Sequence, residues 1–106
     1  MEAQKNSALN KRVGDAWLNF LGGQHPAAIR EYEAVLAEDR LHVDALYGLG
    51  LVLKASGDIS GARLNWERAF EIAKTRMDSM GTTHSIDHER MVMTQNMLKQ
   101  RLAEIS

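Results

Sequence analysis

Cysteine is absent from the 106 residues, so no disulfide can staple the chain and an oxidising compartment leaves no trace. Proline occurs once, at Pro26, so helices meet almost no built-in stop. Neither sign of charge is in excess: 13 basic residues face 14 acidic ones, for a net charge of -1. A nucleic-acid surface would need a clustered basic surplus, so none is expected. Long apolar runs are missing as well. The stretch from Ala45 to Leu53 is about half of what spans a bilayer, so no membrane partner is expected. Met1 to Asn10 is polar and mixed in charge, unlike a secretory leader. A cytoplasmic location is the default expectation.

What is present is helical periodicity. The length fits one domain, residues 1-106, whose core must be thin. No segment alternates as a half-buried strand does. Five helices are expected. The first runs from roughly Ala8 to Leu21 and ends at Gly22-Gly23. The second opens at Pro26, and the third spans roughly Val43 to Ala55. Asp58 is read as the N-cap of a long fourth helix, about Ile59 to Met80. Gly81 and the threonines after it break the chain. Ser85 then reads as the cap of a fifth helix that continues to the C-terminus.

An internal repeat is visible in the middle of the chain. Ala28-x-x-x-Tyr32 superposes on Ala62-x-x-x-Trp66 at an offset of 34 residues, which also carries Gly23 onto Gly57 and Val35-Leu36 onto Ala69-Phe70. A helical-hairpin period of this length is the signature of the tetratricopeptide repeat (TPR). The second copy resembles that family closely. Leu46-x2-Leu49-Gly50-x2-Leu53 stands where the family has W-x2-L-G-x2-Y, and Ala62-x3-Trp66 where it has A-x3-F. Lys74 stands in place of the usual terminal proline. Small Gly50 and Ala62 let two helices approach, while Leu49, Leu53 and Trp66 fill the space beside them.

The first copy departs from the pattern. In strict register, Arg12, Asp15 and Asn19 fall on core positions and only Ala16 fits. Shifted by one, Val13-x2-Ala16-Trp17-x2-Phe20 supplies the apolar positions, with Trp17 at the small one. The shifted, buried placement is preferred because a small core needs its aromatics. The rival placement lays Trp17, Phe20 and Leu21 along a binding surface. Both stay open.

The resemblance covers about Val13 to Arg76 and implies an all-α, TPR-like α-solenoid. That fold is a right-handed superhelix of antiparallel helical hairpins, with repeat one at about 9-42, repeat two at about 43-76 and a capping helix at about 85-106. It also implies a concave groove that holds a peptide or helix of another protein. The groove positions of the second hairpin are Asp44, Tyr47, Gly48, Leu51 and Lys54. Those of the first include Lys11, Gly14, Asp15, Leu18 and Leu21. Leu18, Tyr47 and Leu51 would form an apolar floor suited to a hydrophobic anchor. Family members that hold acidic chaperone tails use a lysine and two asparagines where this chain has Gly14, Leu18 and Gly48. Binding of such tails is not expected.

No catalytic constellation emerges, so no enzyme activity is expected. The serines lie in no glycine-flanked elbow, and Gly22-Gly23-Gln24-His25 is not followed by the Lys-Ser/Thr of a phosphate loop. His84-x-x-x-His88 with Asp87 has metal-ligand spacing only if all of it is helical, and a cap at Ser85 leaves His84 outside. No metal or cofactor is therefore expected. His25 and His42 read as solvated residues beside helix starts. On the fifth helix, Ile86, Met93 and Met97 group on one side, roughly 120° from Met91, Leu98, Leu102 and Ile105. The resulting apolar arc is wider than one neighbour needs. A homodimer that uses Met93 and Met97 is the alternative to the groove.

Overall fold

The computed structural model describes the backbone of residues 2-80 and 86-105, and the side chains of 7-79 and 88-105. These residues form five α-helices: α1 (Glu2–Leu21), α2 (His25–Glu38), α3 (Val43–Ala55), α4 (Ile59–Met80) and α5 (Ile86–Glu104). No strand occurs among the described residues. The fold is all-α. Gly81, His84 and Ser85 lie outside the described residues, as does the side chain of Asp87, and with them the cap reading and the imidazole spacing.

Helix α1 begins six residues before the expected start at Ala8. Its first turns carry no apolar periodicity, but Glu, Ala, Gln and Lys are good helix formers and extend the helix by propensity alone.

The two short turns are built alike. In the α1–α2 turn, Gly23 N–H donates to the Phe20 carbonyl at 3.0 Å and Gln24 N–H to that of Asn19 at 2.8 Å. In the α3–α4 turn, Gly57 N–H donates to the Lys54 carbonyl at 3.0 Å and Asp58 N–H to that of Leu53 at 2.8 Å. Both turns pass through a glycine with positive φ, +80° at Gly23 and +94° at Gly57, a conformation that costs other residues a steric clash. Asp58 then caps α4 through its Oδ1, which accepts from Gly61 N–H at 2.9 Å.

His42 is more than a solvated residue. Its Nδ1 accepts from Ala45 N–H at 3.2 Å and so caps α3, while Nε2 lies 3.1 Å from Asn10 Oδ1. A neutral ring that accepts at Nδ1 carries its proton on Nε2, which donates to the asparagine. One imidazole thus starts α3 and ties it to α1.

Helix α2 packs on both α1 and α3, and α4 on both α3 and α5. The end of α4 returns to the start of α3, where Arg76 Nη2 donates to the Leu41 carbonyl at 2.7 Å. Two apolar clusters hold these layers. One joins Leu9, Ala16, Ala28, Tyr32, Val35, Ala45, Leu49 and Val52. The other joins Val43, Leu46, Ala62, Trp66, Ala69 and Leu98.

Glycines set how closely the helices approach. A Cβ on Gly50 would overlap the indole of Trp66, and one on Gly48 would overlap the ring of Tyr32. Gly48 is therefore buried beneath Tyr32 and does not line an open surface, contrary to the expectation from the sequence. The Trp66 indole N–H, freed from water by this packing, donates to the Tyr47 carbonyl at 3.0 Å.

The structure divides the two placements of the first helix. Leu9 and Ala16 are fully buried, with Val13 and Phe20 packed beside them, so the inward face is 9-13-16-20. Ala16, not Trp17, is the small residue at the close approach. Trp17 lies about 100° further round the helix and is 40% exposed, its ring leaning on Phe20 at 5.4 Å. The expectation that Trp17 would be buried is corrected: helix rotation follows the smallest side chain that lets α1 settle, and alanine serves.

Candidate functional site

The residues expected to line a groove fall into two groups. On α1, Leu18 is 65% and Leu21 63% exposed. With Trp17 and Gly14 they form an open strip along the last two turns, about 100° wide, on the side away from Val13 and Ala16. Asp44, in the first turn of α3, is also exposed. Leaving three large apolar side chains in water over so short a span gains nothing for folding.

Tyr47, Leu51 and Lys54 are half-buried, and α5 bonds to the first and the last of them. Tyr47 and Leu51 pack with Leu102 and Ile105 against the second cluster. The Tyr47 hydroxyl accepts from Arg101 Nε at 3.2 Å. Lys54 Nζ donates to Glu104 Oε2 at 3.5 Å, and Arg101 Nη1 reaches the same carboxylate at 3.1 Å. The bond from Arg101 holds Glu104 below the ordinary carboxylate range, and Lys54 adds to the effect. Arg101 is held more firmly in its charged form, first by its bond to the Tyr47 hydroxyl. This four-residue network was not anticipated from the sequence. Its only sequence signal is the i,i+3 spacing of Arg101 and Glu104, which many solvated helices share.

On α5 the two sides separate cleanly. Leu98 is fully buried, and Leu102 and Ile105 pack against the second cluster. Met93 at 64% and Met97 at 43% face solvent, one turn apart. Further apolar exposure occurs at Ile59, in the first turn of α4, and behind that helix, where Leu41 and Leu64 line a shallow groove with Glu67, Arg68, Glu71 and the half-buried Ile72.

Among the described residues, no three His, Asp or Glu side chains converge as a metal site would require. No helix among them is long and apolar enough to cross a membrane. Compared with protein-family models, curated proteins and solved structures, the chain matches none.

Proposed function

We propose that the chain is a TPR-like α-solenoid, a right-handed stack of antiparallel hairpins, that binds a peptide or helix of another protein and carries out no reaction. The fold part of this reading is supported by equivalences at 34 residues. Ala28 and Ala62 are both fully buried, Tyr32 and Trp66 both fill a space that a glycine vacates, and the two glycine turns use the same pair of hydrogen bonds. Chains built of such units expose the first helix of each hairpin to partners.

The observation that carries the binding role is the open strip of Trp17, Leu18 and Leu21 on α1. An aromatic and two aliphatic side chains at adjoining positions make the kind of anchor site at which few residues supply most of the affinity. Asp44 and Lys54 put one charge of each sign on α3, Asp44 exposed and Lys54 paired with Glu104. The partner expected is a short amphipathic segment with a large apolar anchor. No nucleic acid is part of this reading, and a cytoplasmic setting remains part of it.

Selection of displayed peptides on the immobilised chain, with Leu18→Asp/Leu21→Asp as counter-target, tests the reading. Enrichment of peptides with apolar anchors that bind the native chain and not the variant is the expected result. Peptides that bind both equally, or none above background, would remove it.

Self-association is a second reading, favoured by the exposure of Met93 and Met97 on one turn of α5, since methionine adapts to irregular surfaces. Sedimentation at rising concentration decides it. A dimer that Met93→Glu/Met97→Glu abolishes would support it, and a monomer throughout would exclude it.

A further inference from the structure

Helix α5 is held in two unequal parts. Leu98 is fully buried in the second cluster and anchors the helix on α4. Beyond it, Arg101 and Glu104 reach α3 at Tyr47 and Lys54, and Leu51 lies between those two on the same face of α3. Tyr47, Leu51 and Lys54 are three of the five residues of the second hairpin that the resemblance assigns to the groove. The covering stretch is secured by two partly buried side chains, Leu102 and Ile105, and by polar ties that remain wet. The side chains of Arg101, Glu104 and Lys54 are 39%, 37% and 38% exposed. Ion pairs that exposed contribute little, because water competes for both partners. The helix also ends here, where Ile105 N–H donates to the Leu102 carbonyl at 3.3 Å. One of the terminal carbonyls, that of Ile105, is taken by Arg63 Nη2 at 2.7 Å.

We propose that the last turn of α5 is an intramolecular cover for the α3 half of the binding face, and that it lifts without the rest of α5 leaving α4. It occupies the face with this chain's own leucine and isoleucine, and a partner that reaches Leu51 displaces it. Its meaning for binding rests on the groove reading above, but its motion does not. Apparent affinity at the α3 half then falls by the fraction of molecules in which the cover is down. The α1 strip is not under the cover, so a partner engages there first.

The absence of cysteine makes the test clean, since one introduced thiol is the only one present. Leu51→Cys places it under the cover. Val52→Cys, the next residue, places it in the first cluster, away from α5. Each is labelled with an aromatic disulfide reagent, in the native background and with Arg101→Ala/Glu104→Ala. Losing the ties should speed labelling at position 51 by about fivefold and leave position 52 unchanged. Unchanged labelling at 51, or equal acceleration at both positions, overturns the proposal, the second because it signals global opening. Amide exchange on the unmodified chain gives an independent reading should a cysteine variant misfold. Residues 101-105 should exchange faster than Leu98, and a common rate for both overturns the cover. Neither measurement uses a partner, so failure of the peptide selection and failure of the cover are told apart.

Discussion

Gly50 sits directly under the indole of Trp66, at a separation that leaves no room for a methyl group. Gly14, on the open side of α1, has nothing within 4 Å of where its Cβ would be. The two glycines share a helical backbone and differ only in what faces them.

Alanine should therefore act in opposite directions at the two sites. Gly50→Ala forces the buried Trp66 ring to move and strains its bond to the Tyr47 carbonyl, at a net cost of about 1–3 kcal/mol after the gain in helix propensity. Gly14→Ala meets no obstacle and should stabilise by about 0.5–1 kcal/mol. Chemical denaturation of both variants beside the native chain checks the pair. Equal shifts of the same sign would mean that contact with Trp66 does not decide the matter.

Asp58→Ala removes the acceptor for Gly61 N–H at the start of α4. A loss of about 1 kcal/mol is expected, with Asp58→Asn or Asp58→Ser recovering most of it. Thermal melts of the three variants give the answer.

Tyr32 sets the alkaline limit. Burial, and then the charge of Asp44, push its hydroxyl up from 10.0 to about 12. The unfolded chain ionises first, so this contribution is intact below pH 10 and is lost as the pH rises through the folded value near 12. It amounts to about 2–3 kcal/mol. Tyr32→Phe should lose less stability than the native chain over that interval, and parallel curves for the two would refute the assignment.

At the acid end the sign reverses. Glu104 is held below its ordinary 4.5 by Arg101, so its contribution is present above that value and fades as the pH falls through the lowered folded one. The stability difference between the native chain and Glu104→Gln should shrink steadily from about pH 6 downward. A difference that stays constant with pH would show that the pairing with Arg101 adds nothing.

What the sequence made legible was local. Gly23, Gly57 and Asp58 announce helix ends because turn geometry and capping act within a few residues, and the structure places all three as expected. The buried pair Ala62 and Trp66 followed from helical periodicity. The cap at His42 was missed because histidine is not among the usual capping residues, and its geometry depends on Asn10, 32 positions away. Whether Ala16 or Trp17 turns inward was not decidable from α1 alone, since the answer rests on the neighbouring helices. The covering of Tyr47 and Lys54 by Arg101 and Glu104 spans 54 and 50 positions, beyond any pattern of residue spacing.

Trp17 and Trp66 leave the molecule with two built-in optical reporters in opposite surroundings. One indole is sealed among apolar groups and hydrogen-bonded to the Tyr47 carbonyl, while the other rests at the water boundary beside Leu18 and Leu21. Emission from the first follows the integrity of the helical pair around it, and emission from the second follows what happens at the surface of α1. A quencher dissolved in the medium separates the two signals without any label.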